Sequence, residues 1–258
     1  SSVLFAILFF FLVLIFVIFI ISRFVKRNYG EFEPKISVVI PAYNEEGSLR
    51  KCVHETHSFL SAALEDFELI IVDDGSTDST WDIACELSRT FKNLSVERHK
   101  TNMGIGAAIR TGIEASKREL VFYLPADNQM DIRELPLFLE EIRDADIVAG
   151  WRVNRVVGLK RLVLSKIYNF MLSLIYGITV HDIGWVKLMR RSAAQSLKLA
   201  SESASIDVEI LVKAKRLGLK VKEVQVHEMP RTAGEAKGAN MSRVLKLFFD
   251  VLLIKKTV

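Results

Sequence analysis

Acidic and amide side chains follow three short apolar segments of the chain, each at the point where the segment ends. They are Asn44 and Glu45 after the first segment, Asp73 and Asp74 after the second, and Asp127 with Gln129 after a later one. Hard oxygen donors of this kind suit Mg2+ or Mn2+, and Mg2+ is usually held by one or two carboxylates together with phosphate oxygens. The side chains therefore indicate a divalent cation that carries a diphosphate.

The last of these positions lies in residues 120–129, LVFYLPADNQ. The apolar half suits a strand that is buried on both faces of a sheet, and Pro125 ends the strand because proline has no N–H to give to the ladder. Asp127 and Gln129 then stand at alternate positions at the carboxyl end of the strand, where open α/β sheets bind ligands. Taken alone, the same residues also fit a strand followed by an Asx turn.

Strands and helices alternate along residues 35–149. The strands are predicted over 35–40, 67–72, 94–98, 120–124 and 146–149, and the helices over 44–64 with Asn44 as N-cap, 80–90, 107–116 and 132–142. This alternation predicts an α/β fold with a largely parallel sheet and helices on both faces. Since parallel strands bring their ends to one edge, the three acidic turns are expected to converge, and a cation would offset their mutual repulsion.

The second half of the chain departs from this alternation. Residues 162–178 predict a long amphipathic helix, which fits either an ordinary core helix or a helix lying in the membrane interface. A helix over 208–216 and a strand over 219–227 follow, then a mobile loop over 231–239 and a second apolar amphipathic helix over 244–254. Together with the N-terminal segment, the two amphipathic helices indicate a domain that sits against a bilayer.

The N-terminal segment is an uncharged apolar run over residues 3–21, long enough to span a bilayer as a helix. A cleaved signal peptide fits poorly, because no charge precedes the run and no small-residue cleavage site follows it. Arg23, Lys26 and Arg27 follow the run and place the rest of the chain in the cytoplasm by the positive-inside rule. The expected organisation is an anchor over 1–30, one catalytic domain over 31–239 and a C-terminal helix over 240–258. A membrane helix of this kind also permits a homo-oligomer.

The charge distribution and the cysteine content indicate the chemical class of the partners and the redox state of the compartment. The net charge is +4, but residues 151–200 carry many lysines and arginines against a single acidic residue, Asp182. Such a bias indicates anionic partners such as a diphosphate, a lipid phosphate or membrane headgroups. Nucleic acid is not expected, because the aromatic and basic signatures of an RNA-binding sheet are missing. Cys52 and Cys85 are too few for a disulfide framework and agree with a reducing compartment.

Several motifs together resemble glycosyltransferase family 2, the inverting enzymes with a GT-A fold. The resemblance extends over about residues 35–237 and rests on PAYNE at 41–45, VDDGSTD at 72–78, NMGIGAAIRTG at 102–112, ADNQ at 126–129, GWR at 150–152, DIGWVKLMRR at 182–191 and RTAGEAK at 231–237. The later motifs are similar to those of the polyprenyl-phosphate sugar transferases, the subgroup that includes dolichol-phosphate mannose synthase. The fold class implied is an α/β GT-A domain.

The resemblance implies roles for individual residues. The nucleotide sugar would contact Pro41, Tyr43, Glu45, Asp73, Asp74, Gly104, Ala126 and Asp127, and the loop that closes over the leaving diphosphate would supply Arg231 and Lys237. The metal, Mg2+ or Mn2+, would be bound by Asp127 and Gln129. The acceptor phosphate would be met by Arg152, Arg155, Lys160 and Arg161. Asp127, Arg152 and Asp182 are the candidate catalytic residues.

Two positions depart from the family pattern. The metal motif of the family begins with Asp two residues before the metal-binding Asp, where this chain has Pro125. The change removes one expected contact to the ribose or the metal and bears on the identity of the donor. In the late loop, Ala236 replaces the serine that usually precedes the lysine, which removes one hydrogen bond to phosphate.

The chemistry leaves the acceptor open between a lipid phosphate and a hydroxyl. A lipid phosphate is already anionic and can attack the anomeric carbon with little help, whereas a hydroxyl needs a general base. Asp182, Asp207 and Glu209 are candidates for that base, and each could instead be a structural ion-pair partner. The basic segment and the membrane-facing helices favour a polyprenyl phosphate over a glycan hydroxyl, with GDP-mannose or UDP-glucose as donor. A non-catalytic scaffold that binds nucleotide sugars is the alternative outside the enzymes, and only Pro125 favours it.

Overall fold

The computed structural model describes residues 32–154 and 159–230. The predicted anchor over 3–21, the loop over 231–239 and the helix over 244–254 lie outside these residues. Within the described ranges, no helix combines the length and the apolar character needed to cross a membrane.

The described residues form one seven-stranded sheet. Its strands are β1 (Ile36–Ala42), β2 (Phe67–Asp73), β3 (Leu94–Arg98), β4 (Leu120–Tyr123), β5 (Ile147–Arg152), β6 (Lys187–Arg190) and β7 (Val221–Val226). They are arranged in the order β3-β2-β1-β4-β6-β5-β7. β6 is antiparallel to both of its neighbours, and the other pairs are parallel. The predicted α/β fold with a mostly parallel sheet is therefore confirmed.

The helices connect the strands. They are α1 (Leu49–Ala63), α2 (Thr80–Thr90), α3 (Ile105–Ala115), α4 (Leu135–Glu141), α5 (Leu159–Tyr176), α6 (Arg191–Ser196) and α7 (Ile206–Arg216). Every residue of β1 is buried, which shows that both faces of this strand are covered, as in a sheet between two helical layers. The same burial explains why β1 and β2 are nearly continuous runs of Val, Ile and Leu.

The structure corrects some predicted boundaries. Helix α1 begins at Leu49 rather than after Asn44. Asn44 instead has a positive φ of 52°, and its side chain accepts a hydrogen bond from the backbone of Thr77, so it shapes a loop and caps no helix. The helix predicted over 132–142 is divided, with short 3-10 turns before and after α4. Strand β6 and helix α6 were not predicted, because each is very short and they follow one another directly.

Candidate active site

The site lies at the carboxyl ends of β2, β1 and β4, which are adjacent and parallel. Ala42 at the end of β1 is the register partner of Asp73 at the end of β2. On the other side of β1, Val39 pairs with Tyr123, the last residue of β4. The three turns predicted to converge therefore do leave the same edge of the sheet.

The turns after β1 and β2 are joined by reciprocal hydrogen bonds. The backbone N–H of Asn44 donates to Ser76 Oγ over 2.9 Å, and that of Glu45 donates to Thr80 Oγ1 over 2.8 Å. In the opposite direction, the N–H of Thr77 donates to Asn44 Oδ1 over 2.9 Å. Because each turn satisfies backbone groups of the other, the two form a single rigid rim. Tyr43 lies in the first of these turns, and Pro41 lies just before it, within β1.

Asp73 is a buried carboxylate at this rim. The residue is 0% exposed, and its Oδ1 accepts a hydrogen bond from Ser76 N–H. No donor in the described part of the chain makes a hydrogen bond to Oδ2, although Arg98 Nε lies 3.1 Å away as an ion-pair partner. A buried carboxylate is costly unless it is paired, and the Arg98 guanidinium supplies the opposite charge here. The contact of Asp73 with nucleotide stays a prediction.

Asp74 has a different environment from its neighbour. Its carboxylate accepts hydrogen bonds from the backbone N–H groups of Met103 and Gly104, over 2.9 and 2.8 Å. It also lies 2.7 Å from His99 Nδ1, and His99 Nε2 in turn contacts Thr111 Oγ1. Asp74 thus holds the loop before α3 against the end of β2, and Gly104, with φ at 97°, allows that loop to turn. The contacts of Asp74 and Gly104 with nucleotide stay predictions.

Asp127 lies in a loop that is held from two sides. Its Oδ1 accepts a hydrogen bond from Gln129 N–H over 3.0 Å. This is the Asx turn that the sequence allowed beside a metal site. Asn128 Nδ2 donates to Ser48 O at the start of α1, and Met229 N–H donates to Gln129 O over 2.9 Å. Asp127 itself is buried, with 7% exposed, and these contacts fix the backbone that carries its carboxylate. The preceding Ala126 is buried.

Cys52 lies beneath this loop, and the pKa of its thiol depends on the charges around it. Its Sγ is 4.0 Å from Pro125 O. Burial raises the pKa of the Cys52 thiol to about 12, and the negative charges of Asp127, Glu55 and Glu45 act in the same direction. Asp127 and Glu45 therefore both lie near the same buried group, which brings the first and third acidic turns together.

The two thiols are expected to differ in reactivity. Because the thiolate is the reactive form, Cys52 should stay unlabelled by a thiol reagent at pH 8 in the folded protein, whereas the half-buried Cys85 reacts. Mass spectrometry after labelling, with and without urea, measures this directly. Labelling of Cys52 at the rate of Cys85 without denaturant would contradict the placement of Cys52.

The acidic side chains do not form a cage for the cation. Among the described residues, no group of three or more His, Cys, Asp or Glu side chains is placed to hold a metal ion. The convergence predicted from the sequence holds for the turns but not for all the carboxylates, because Asp73 and Asp74 accept hydrogen bonds from their own neighbouring loops. The donor set fits a cation held by Asp127 together with diphosphate oxygens, which is the common arrangement for Mg2+.

Arg152, at the end of β5, is enclosed in a network of charges. Its Nε and Nη2 contact the two oxygens of Asp182 over 2.7 and 3.0 Å, and Nη1 contacts Glu228 Oε1 over 3.2 Å. The guanidinium lies over the Trp185 ring, 4.2 Å from its centroid. Burial disfavours the charged guanidinium, but Asp182 and Glu228 more than compensate and raise the pKa of Arg152. The carboxylates of Asp182 and Glu228 thus both contact this one guanidinium.

The other two candidate bases are also paired with cations. Asp207 Oδ1 lies 2.6 Å from Lys187 Nζ and accepts a hydrogen bond from the Tyr123 hydroxyl. Glu209 lies 2.7 Å from Lys213 Nζ and also accepts backbone hydrogen bonds from residues 200 and 201. Burial by itself would raise the pKa of Glu209, but these contacts more than compensate and lower it. Each of the three carboxylates thus has the ion-pair role that the sequence left as an alternative to general base.

Some predicted residues lie where the structure gives no side chain. Arg155, Arg231 and Lys237 are outside the described residues, and Lys160 and Arg161 belong to α5 but their side chains are not described. Conversely, Lys187 and Glu228 were not singled out from the sequence. Lys187 stands in the DIGWVKLMRR motif, with apolar residues directly before and after it. This apolar surrounding is the sequence signal that could have indicated its burial.

Comparisons with known proteins place the chain in a family. The family model "Glycosyl transferase family 2" matches residues 37–198. The dodecaprenyl-phosphate galacturonate synthase of Rhizobium johnstonii is 31% identical over 228 residues, which cover 85% of this chain and 66% of that protein. A dolichyl-phosphate beta-glucosyltransferase of Trichomonas vaginalis is 31% identical over 240 residues, covering 85% of this chain and 72% of that protein. The chain thus spans about two thirds of the length of these relatives.

Solved structures show the same fold. The glucosyl-3-phosphoglycerate synthase of Mycobacterium tuberculosis, in complex with Mn2+, UDP-glucose and phosphoglyceric acid, superimposes with a TM-score of 0.66 at 20% identity. The match covers 87% of this chain and 79% of that one. Since the family model spans most of the chain and both relatives exceed 30% identity, the chain belongs to glycosyl transferase family 2.

Proposed function

We propose that the protein is an inverting glycosyltransferase that moves a hexose from a nucleotide sugar to a polyprenyl phosphate at the cytoplasmic face of a membrane, with the help of Mg2+ or Mn2+. Both relatives named above are transferases whose names specify a dodecaprenyl or dolichyl phosphate acceptor. The structural observation that carries the proposal is that all three candidate bases are ion-paired. A phosphate acceptor needs no general base, whereas a hydroxyl acceptor does.

The donor half of the proposed site is the rim formed by the turns after β1 and β2. Asp73, which is paired with Arg98, would lie on the side of the base and ribose together with Pro41, Tyr43 and Glu45. Asp74 would contribute by fixing the loop that ends at Gly104. Because the rim is braced by its own hydrogen bonds, little ordering would be needed when the nucleotide binds.

The diphosphate would lie between Asp127 and the end of β7. Asp127 and Gln129 would hold the divalent cation, which when bound stabilises negative charge on the departing nucleoside diphosphate. Met229 is hydrogen-bonded to Gln129, so the chain leading to Arg231 and Lys237 starts beside the metal loop. This neighbourhood supports the role of those two cations in binding the leaving group.

The acceptor half would lie around Arg152. In the proposed step, a phosphate oxygen attacks the anomeric carbon while the bond to the diphosphate oxygen breaks with its electron pair, which inverts the anomeric configuration. Asp182 would orient the Arg152 guanidinium toward the acceptor. Arg155, Lys160 and Arg161 follow Arg152 closely along the chain and would supply further positive charge for the acceptor phosphate.

Exposed apolar residues on α5 support the membrane location. Phe170 is 68% exposed and Leu174 77% exposed, and they stand four residues apart on one helix face. Ile175 beside them is also exposed, whereas Leu172 is buried in the protein. A helix with one packed face and one exposed apolar face fits insertion into a membrane interface, the second of the two interpretations that the sequence allowed.

Transfer of labelled sugar tests the proposal. The full chain in detergent is given a panel of radiolabelled nucleotide sugars, including GDP-mannose and UDP-glucose, with a short polyprenyl phosphate and Mn2+. We expect label to enter an organic-extractable, mild-acid-labile lipid. Label found only in water-soluble glycan or protein would replace the lipid acceptor by a hydroxyl, and a donor that is neither hydrolysed nor transferred would favour the non-catalytic scaffold.

A further inference from the structure

A buried ion pair lies between the two halves of the site and has no part in the chemistry proposed so far. Lys187 is 0% exposed, and its Nζ is 2.6 Å from Asp207 Oδ1. The same ammonium donates to the backbone carbonyls of Ile183 and Trp185 over 2.8 and 2.9 Å. It also lies 3.1 Å from the hydroxyl of Tyr123.

The contacts of Lys187 join three separate segments. Tyr123 is the last residue of β4 and stands four positions before Asp127. Asp207 belongs to the first turn of α7. The carbonyls of residues 183 and 185 belong to the segment 182–186, which begins with Asp182, the partner of Arg152. One ammonium therefore connects the strand that leads to the metal loop with the segment that holds the acceptor arginine.

The segment 182–186 has alternating carbonyl partners. The oxygens of Ile183 and Trp185 face Lys187, whereas the oxygen of Gly184 between them lies 3.4 Å from Arg152 Nη2. Holding the carbonyls on either side narrows the orientations open to the Gly184 carbonyl, because each residue between them has only two soft dihedrals. An apolar side chain at position 187 could fill the same space but could not orient these carbonyls.

Stability alone does not explain the pair. Replacing a buried ion pair by apolar residues of similar size is often neutral or stabilising. Tyr123 adds a further constraint, since burial and the charges of Asp207 and Asp182 raise its pKa well above the ordinary value and keep its hydroxyl protonated as a hydrogen-bond donor. A wholly buried ammonium with four polar partners holds those partners in one arrangement, whatever it contributes to the free energy of unfolding.

We propose that Lys187, paired with Asp207, is a positioning residue that fixes the segment 182–186 so that Asp182 and Gly184 hold Arg152 in place for the acceptor. The identity of that acceptor as a polyprenyl phosphate rests on the proposed function. The positioning itself does not.

The chain offers a matched control. Lys213 is also buried, with its side chain 9% exposed and its Nζ 2.7 Å from Glu209 and 2.8 Å from Lys198 O. It lies on the same helix as Asp207 but, among the described residues, contacts neither the segment 182–186 nor Tyr123. Lys187→Met and Lys213→Met therefore remove the same group from two comparable surroundings.

Kinetics separate positioning from a structural role. We expect Lys187→Met to raise KM for the polyprenyl phosphate about tenfold to a hundredfold, as for a misplacement remote from the chemistry, with KM for the donor changed less than about twofold. Lys213→Met should lower the urea midpoint but leave both KM values unchanged. The double variant Lys187→Met/Asp207→Leu, which leaves no unpaired charge, should fold and still show the raised acceptor KM.

Hydrogen exchange gives a readout that does not depend on the acceptor. Amide exchange over 182–186 should be faster in Lys187→Met and in the double variant than in the wild type, and unchanged in Lys213→Met. Equal exchange in all four proteins would overturn the inference. So would a double variant with wild-type kinetics, or an Asp207→Asn variant that loses kcat alone, since that marks a general base. A wild type that transfers no sugar to polyprenyl phosphate would refute the proposed function, while exchange would still decide the positioning.

Discussion

The variant Asp127→Asn is expected to lose transferase activity by about a hundredfold to a thousandfold, the range seen when a group that stabilises transition-state charge is removed. Asparagine has nearly the shape of aspartate, and its oxygen can still accept the hydrogen bond from Gln129 N–H that shapes the loop. What disappears is the negative charge that attracts a divalent cation. The loss should therefore appear in metal titrations as a higher Mn2+ or Mg2+ concentration at half-maximal activity, with the free energy of unfolding little changed.

Asp131 provides the control for this experiment. It lies four positions later, accepts a hydrogen bond from Arg133 N–H as the cap of the following turn, and forms an exposed ion pair with Arg133. Asp131→Asn removes the same charge from the same stretch of chain, and we expect wild-type kcat and an unchanged metal dependence. An Asp127→Asn enzyme that keeps full activity at every metal concentration would remove Asp127 from the site.

The sequence was sufficient for the framework of the site because that framework is local. The β-branched runs that become β1 and β2 and the polar turns after them are read from neighbouring residues, and the adjacency of the three strand ends follows from the alternation of strands and helices. The family motifs then indicated which residues in these turns would bind the nucleotide sugar and the metal. None of these steps needed to know which side chains meet across the fold.

The different environments of Asp73 and Asp74 could not be read in the same way. They are adjacent in sequence and identical in type, yet one is paired with Arg98 of the neighbouring strand and the other holds a distant loop. The difference arises because successive side chains at the end of a strand point to opposite faces, and which face meets the loop at 103–104 depends on the packing of α3. Lys187 is a second case, since its burial depends on Asp207 and Tyr123, which are remote in sequence.

The variant Arg152→Lys is expected to raise KM for the polyprenyl phosphate about tenfold to a hundredfold and to change KM for the donor little, because an interaction confined to one substrate affects that substrate alone. Lysine keeps the positive charge between Asp182 and Glu228 but cannot make the two parallel contacts that the guanidinium makes with Asp182. The ammonium would be drawn to one carboxylate, and no part of it would stay oriented toward the acceptor. Retaining the charge also avoids removing a cation from beside two buried carboxylates, which would destabilise the fold.

Arg133→Lys is the control for Arg152→Lys, since it makes the same exchange at an exposed ion pair with Asp131, where a change of less than about 1 kcal/mol in stability and no change in kinetics are expected. Steady-state kinetics with each substrate varied in turn would distinguish the two halves of the site. A donor KM that rises as much as the acceptor KM would mean that Arg152 supports the whole edge of the sheet rather than the acceptor. If instead only the acceptor KM rises, and rises equally in Lys187→Met, the guanidinium and the buried ammonium act on the same bound phosphate, one by contact and the other through the backbone of residues 182–186.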